Sequence, residues 1–338
     1  MSNDDVRKRL LNALHETVGH AGVRTSVLVL GEGINIQASR PRGRDAEDGW
    51  SHILRALWVS AHGDPGDFDR LRSSAMQWTC LVELYARARR IHLRSAEKSL
   101  RATVSKRLKQ VEAKRLESRT LYADILNAGF ANIVWFNIDR RIIRHVPPAR
   151  FAKVPAARSC LYRRVRLSTK GDDSYGTNIW FPYGDVGDPS SIQIGHSNYD
   201  QRLMQYEDYR DGMMDRWFDW DGSYSGYELQ PPREVYWRLW NQVTSWYDLF
   251  FLAPLILVGV SLSRDDWPLW WLLHQRARKF VPFRKEGASA CPGTFYLTCR
   301  SAETDHLRGA PAGIERVVFD SYDSMWSFLR RAFAKKPK

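Results

Sequence analysis

Four short polar segments of this chain carry residue types able to hold or cleave a polar ligand: Gly31-Glu32-Gly33-Ile34-Asn35, Asn137-Ile138-Asp139, Tyr183-Gly184-Asp185 and Gly259-Val260-Ser261-Leu262-Ser263. Glycines such as Gly31 and Gly33 let a backbone approach a pyrophosphate closely. A helix beginning just beyond them offers unpaired N–H groups and the positive end of its dipole to the anion. The third glycine of the dinucleotide fingerprint is missing, and an ordinary tight strand-to-helix turn explains the segment equally well. Asn137 supplies an amide, Asp139 a carboxylate that serves equally as a helix N-cap, and Ser261 a hydroxyl that also suits a strand-end turn.

Positioning these segments requires a rim. Arg24 to Leu30, Asn132 to Phe136, Asn178 to Phe181 and Phe250 to Val260 are β-branched, aliphatic or aromatic runs, and each ends at one of the four segments. Each run is therefore expected as a strand, and open α/β sheets bind ligands where strands end. Further strands are expected at Ser159 to Leu167, Thr294 to Thr298 and Glu315 to Phe319, with Thr169 to Tyr175 as a polar turn. Helical spacing marks Asp4 to Val18, Trp50 to Val59, Tyr199 to Trp217, Val235 to Leu249, Trp267 to Ala277 and Tyr322 to Phe333. Asp265 and Asp266 stand where they would cap the helix from Trp267. Between Phe68 and Leu126 turn signals are almost absent, which predicts two or more long helices. The alternation of helix and strand argues for an α/β fold on a parallel sheet with a long helical insert. The organisation expected is an N-terminal helix over 1–20, a core of 21–63 with 129–338, and a basic helical insert over 64–128.

At 338 residues, with 43% apolar and 26% charged residues, the chain has the balance of a globular protein with a sizeable core. Of the net charge of +13, the stretch Arg87 to Arg119 supplies twelve Lys or Arg against three Glu. Arg94, Lys98, Arg101 and Lys106 in that stretch are candidates for contact with nucleic acid or an acidic protein, the alternative being a solvated helix face. Cys80, Cys160, Cys291 and Cys299 form no CxxC pair, which signals neither a zinc ribbon nor a disulfide framework. The tryptophans crowded between Trp217 and Trp271 are expected to fill core. The longest apolar run, Leu249 to Val260, is shorter than the ~20 residues a bilayer needs, and the polar N-terminus lacks a secretory pattern, so a cytoplasmic location is expected.

The ordered set of segments resembles the sirtuin-like family, in particular its divergent bacterial branch found in anti-phage, NAD-depleting systems. Gly31 and Gly33 match that family's glycine turn, Asn137-Ile138-Asp139 its Asn-Ile-Asp element, Tyr183-Gly184 its His-Gly loop and Gly259-Val260-Ser261-Leu262 its Gly-x-Ser-Leu loop. Ile314 to Phe333 is similar to its terminal strand and helix. The resemblance implies a Rossmann-like three-layer sheet and NAD as substrate or bound ligand, contacted by Gly31, Gly33, Asn35, Gly259 and Ser261. It places Asn137 beside the nicotinamide ribose, and Asp139 near the carboxamide or in the supporting hydrogen-bond shell. It also implies a partner protein in a defence complex, or a homo-oligomer. Two residues depart from the pattern. Glu32 sets a carboxylate in the middle of the glycine turn, where it repels phosphates unless it points away or meets an arginine such as Arg40 or Arg42. Tyr183 replaces the catalytic histidine, and a phenol of pKa about 10, roughly 0.1% ionised at neutral pH, is a poor general base. His196 is the nearby substitute, or a surface or structural histidine. The two readings are thus an NAD glycohydrolase and an inactive scaffold that binds a partner protein or nucleic acid through its basic insert.

Overall fold

The computed structural model describes residues 2–18, 23–35, 50–71, 73–114, 119–144, 146–152, 154, 159–169, 172–195, 198, 203–209, 243–262, 267–279, 292–300 and 313–334. Its centre is an eight-stranded sheet. The strands are β3 (Val27–Leu30), β4 (Asn132–Trp135), β5 (Phe151–Ala152), β6 (Arg164–Thr169), β7 (Asp172–Trp180), β8 (Leu255–Val258), β9 (Thr294–Cys299) and β10 (Ile314–Phe319). Their order across the sheet is β10-β9-β8-β3-β4-β7-β6-β5. The pairings from β10 to β7 are parallel, and β6 and β5 extend that edge antiparallel. Counted from β3, the six parallel strands β7, β4, β3, β8, β9 and β10 stand in the order 3-2-1-4-5-6 of a doubly wound Rossmann-type sheet. The strand order reverses between β3 and β8. A small two-stranded ribbon, β1 (Thr17–Val18) and β2 (Val23–Arg24), precedes the sheet.

The central strands are buried on both faces, so their side chains alternate between two apolar layers instead of between core and water. Leu28, Leu30, Ile133, Trp135, Ile256 and Val258 face one layer. Helices α1 (Asn3–His15), α6 (Arg119–Leu126) and α9 (Tyr322–Ala334) close it, and Leu10 and Leu14 of α1 are fully covered there. Val27, Val29, Val134, Trp180, Leu255 and Leu257 face the other, closed by α7 (Trp246–Leu252) and α8 (Trp267–Lys279). A third cluster joins α2 (Trp50–Ser60), α3 (Pro65–Arg70), α4 (Ser74–Arg89) and α5 (Leu93–Lys114) to Val186, Ile192 and Ile194. The helical insert thus has a small core of its own, completed by the loop that follows β7. It begins at α2, while α6 packs against the sheet.

Several sequence expectations change. The apolar run Phe250 to Val260 is not one strand, because Phe250, Phe251 and Leu252 end α7 and only Leu255–Val258 is extended. A capping box between Ser245 and Asp248 starts that helix at Trp246, past 243–245, and Pro254 lies just beyond its C-cap Ala253. An element buried on every side has no periodicity to separate helix from strand. The polar stretch Thr169 to Tyr175 lies largely within the β6–β7 hairpin, with a register shift between Leu167 and Thr169. Residues 159–163 are a turn and not strand, and the N-terminal helix stops at His15. Of the helix expected over Tyr199 to Trp217, residues 203–209 are helical and most of the remainder lies outside the described residues. Also outside them are Arg40, Arg42, His196, Ser263, Asp265, Asp266, Cys291, residues 235–242 and the tryptophans Trp217 and Trp220. Among the described cysteines, Cys160 and Cys299 are buried thiols outside any disulfide, and Cys80 is partly covered. No helix among the described residues is long and apolar enough to cross a membrane.

Candidate functional site

Since β3, β4, β7 and β8 run parallel, Gly31, Asn137, Tyr183 and Gly259, which follow them, all stand on the carboxyl edge of the sheet. Backbone hydrogen bonds stitch the segments together. Phe136 N donates to Leu30 O (2.8 Å), Val186 N to Ile138 O (2.8 Å) and Gly33 N to Gly259 O (2.8 Å). The rim is therefore continuous from the β8 loop to the β7 loop.

At the point of strand-order reversal the glycines pack on one another. A Cβ on Gly31 would stand 2.5 Å from Gly259 O, and one on Gly33 2.7 Å from Gly259 Cα. Gly259 itself has φ +67°, a left-handed conformation that disfavours side chains. These glycines let two strand-end loops touch, which accounts for them without any ligand. Ser261, beyond Gly259, is exposed on the rim.

Glu32 does not pair with a glycine-loop ligand site from outside; its Oε1 accepts a hydrogen bond from Trp50 N at the start of α2 (3.3 Å). That hydrogen bond engages the carboxylate with the first described residue of α2. The residue keeps an exposed edge, yet protein packed around its carboxylate raises its pKa above the ordinary 4.5. The Trp50 hydrogen bond opposes that rise, nearby Asp139 adds to it and Arg141 again opposes it.

Behind the rim runs a buried polar chain. Tyr122 Oη donates to Asn35 Oδ1 (2.8 Å), and Asn35 Nδ2 donates to Asp139 Oδ2 (2.7 Å). Asp139 Oδ1 accepts from Arg141 N (3.0 Å), and its carbonyl accepts from Trp135 Nε1 (3.0 Å). Burial raises the Asp139 pKa, and Arg141 and the hydrogen bonds counteract it. Asn35 and Asp139, both 6% exposed, form part of the frame beneath the rim and do not line its surface. For Asp139 this is a place in the hydrogen-bonded frame; it also accepts from the first N–H of the short 3-10 turn Arg141–Ile143, whose N-cap position is Arg140. For Asn35 it departs from the ligand-contact expectation, since both ends of the amide are engaged with protein. Asn137 differs. Its Nδ2 is buried and has no hydrogen-bond partner among the described residues.

Tyr183 packs edge-to-face on Phe136, the residue before Asn137, with ring centroids 5.3 Å apart. Phe136 in turn meets Trp246 and Phe250 of α7, so the tyrosine stands at the end of an aromatic wall. Gly184 has φ +74°, and a Cβ there would lie 2.1 Å from Ser191 O. Asp185 is 1% exposed and takes Arg140 Nε (2.6 Å) on Oδ1 and Arg163 Nε (2.5 Å) on Oδ2. Arg163 extends to Asp188 (3.2 Å), whose pKa is lowered first by a hydrogen bond from Ser190 and further by the Arg163 charge. This arginine clamp fixes the loop that carries Tyr183. Asp185 belonged to a visible motif, but Arg163, Tyr122 and Arg141 sit in stretches with no motif, and only folding brings them to it.

In the insert, Arg94, Lys98 and Lys106 are exposed on α5. Arg101 turns inward, with a 17% exposed side chain that pairs with Glu97 (2.7 Å) and donates to Asn198 Oδ1 (3.1 Å). It braces the insert and lies off the outer surface.

The fold defines a doubly wound α/β protein whose carboxyl edge is assembled from four loops. Neither a scan against protein-family models nor a search of curated proteins returns a match. The resemblance to the sirtuin-like family accordingly rests on the order of the motifs alone.

Proposed function

We propose that the carboxyl rim is a nucleotide site of sirtuin-like type with NAD as its ligand, and that the chain serves a bacterial defence system. The observation that carries this reading is Asn137 Nδ2. It is a buried donor without an acceptor among the described residues, next to the point where doubly wound sheets place dinucleotides. A ribose hydroxyl or carboxamide oxygen satisfies such a donor. The residues fit the nucleoside side of NAD better than its phosphates, since Glu32 already takes the N–H of Trp50.

Where the chain is active, the reaction is cleavage of the bond between ribose C1′ and the nicotinamide nitrogen. The electron pair leaves with nicotinamide and water adds at C1′. The frame of Asp139, Asn35 and Tyr122 holds the Asn137 loop while Phe136 orients Tyr183. A general base at that position is worth ~10²- to 10⁴-fold in rate, and a neutral phenol donates a hydrogen bond more readily than it accepts a proton. Wild type therefore turns over very slowly, and Tyr183→His raises nicotinamide release if the rim is otherwise competent. Release measured for wild type, Tyr183→His, Asn137→Ala and the double variant tests this. A gain with histidine that Asn137→Ala cancels supports the reading, whereas wild-type turnover that survives Asn137→Ala places the chemistry elsewhere.

The Glu32 geometry favours a second reading, a scaffold without turnover. A carboxylate in the glycine turn, already engaged with a backbone N–H of α2, opposes an anionic ligand there, as expected of a rim retained for assembly with a partner protein.

A further inference from the structure

Between Arg94 and Lys109 the outer face of α5 is a cationic row with no acid among its exposed side chains. Four side chains on that face, Arg94, Lys98, Lys106 and Lys109, are exposed, and between them stand the exposed small residues Ser95, Ser99 and Ala102. The one acid between Arg87 and Gln110 is Glu97, which is turned toward Arg101 and Asn198. The opposite face, Ala96, Leu100, Val104 and Leu108, is buried in the insert, and Ser105 Oγ donates to Val186 O (2.8 Å). The helix is thus anchored, and the cations have one orientation. With a rise of about 1.5 Å per residue, Arg94 to Lys109 spans roughly 22 Å. At the end of the row, the turn from α4 adds Arg87, Arg89 and Arg90, all exposed. Arg90 holds φ +54°, where glycine or asparagine is the usual occupant. Arg87 meets Glu83 only at 3.7 Å on the surface, and Arg89 lies over the Tyr85 ring.

We infer that this row is a binding surface for the phosphate backbone of a duplex nucleic acid. Protein partners are held by buried apolar and aromatic anchors, and the row offers serine, alanine and glutamine between its charges; the exposed apolar residues Ile91 and Leu93 are confined to the turn. A phosphate backbone needs only charge and close approach. A row of roughly 22 Å covers about six base pairs at 3.4 Å each. The small residues between the cations let a rod lie against the helix.

The test is fluorescence anisotropy of a labelled 20-base-pair duplex with the full chain, over a range of salt from 50 to 200 mM. Binding is expected at low salt and falls as salt rises. In the variant Arg94→Gln, Lys98→Gln, Lys106→Gln, Lys109→Gln, affinity at 50 mM salt drops at least about tenfold. The slope of log affinity against log salt becomes shallower by about three to four, since each lost phosphate contact removes ~0.9. The pair Arg144→Gln, Arg331→Gln, exposed cations elsewhere, leaves both unchanged. A charge-reversing pair, Lys98→Glu with Lys106→Glu, repeats the test should the fourfold variant lose its thermal transition. No duplex binding at 50 mM salt overturns the inference, as does wild-type slope in the variants. Tighter capture of polyglutamate than of duplex, lost in the same variants, also overturns it and makes the row a surface for an acidic protein.

Discussion

The two edges of the sheet treat their buried polar groups in different ways. At the amino edge Arg24, which precedes β3 and is fully buried, gives its guanidinium to the carbonyls of Leu14, Ala128, Ala332 and Phe333 and lies over the Phe130 ring. Arg276 of α8 does the same for Phe250, Pro292 and Gly293 and for the Thr294 hydroxyl. Both arginines satisfy chain-end carbonyls, several of them at the ends of α1, α7 and α9, where helices leave acceptors unpaired and the dipole favours a cation. At the carboxyl edge Asn137 Nδ2 has no acceptor among the described residues, and Glu32 and Asp139 carry pKa values raised first by burial, that of Glu32 further by the Asp139 charge. Each edge thus keeps a buried polar atom without a partner among the described residues, Ser26 Oγ at the amino edge and Asn137 Nδ2 at the carboxyl edge, but only the carboxyl edge sets beside it two carboxyl groups of raised pKa, a difference expected between a structural base and a ligand rim.

The contrast is broken most severely at the amino edge. Arg24→Met leaves several buried carbonyls without donors and is expected to cost about 3–5 kcal/mol, the scale of a broken buried charge network. Urea denaturation measures it; a loss under about 1 kcal/mol shows that the edge relaxes around the change. At the carboxyl edge, Asp139→Ala strands Asn35 Nδ2 and Arg141 N but also removes a buried charge, and about 2 kcal/mol is expected. The pH dependence carries a sign. Burial raises the Asp139 pKa, so the folded state holds that proton more tightly than the unfolded chain. Its contribution is complete below the ordinary value of 3.8 and is lost as pH rises through the raised value. Urea midpoints of wild type should fall over that window, and those of the alanine variant should be flatter there.

How much of this contrast could be read from the sequence differs between the edges. The rim segments were legible because glycines, Asn-x-Asp and Gly-x-Ser follow apolar runs, and β3, β4, β9 and β10 formed close to where alternation and composition place them. The amino edge was not legible, since Arg24 and Arg276 look like any other arginines in a basic chain. Tyr122 reaches Asn35 across 87 positions, and no local pattern links them. The α7–β8 boundary was hidden by uniform burial, which erases the periodicity that distinguishes helix from strand.

A smaller effect sharpens the account of the rim. Glu32→Gln should tighten NAD binding by about 1–2 kcal/mol at neutral pH by removing the charge that faces the phosphates. Because the Glu32 pKa is raised, wild-type affinity should grow as pH falls through that raised value while the glutamine variant stays level. Isothermal titration at several pH values reads both, and equal affinities throughout mean the carboxylate faces away from the ligand.

The most direct measurement joins stability and binding at Asn137. An asparagine that serves the fold loses stability on truncation, whereas one whose amide has no protein acceptor does not. Thermal melts and NAD titrations of wild type and Asn137→Ala are therefore made side by side. The account predicts an unchanged or slightly higher melting temperature together with at least a tenfold loss of NAD affinity. A melting temperature lowered by several degrees with NAD affinity intact, or the absence of NAD binding by the wild-type chain, contradicts it.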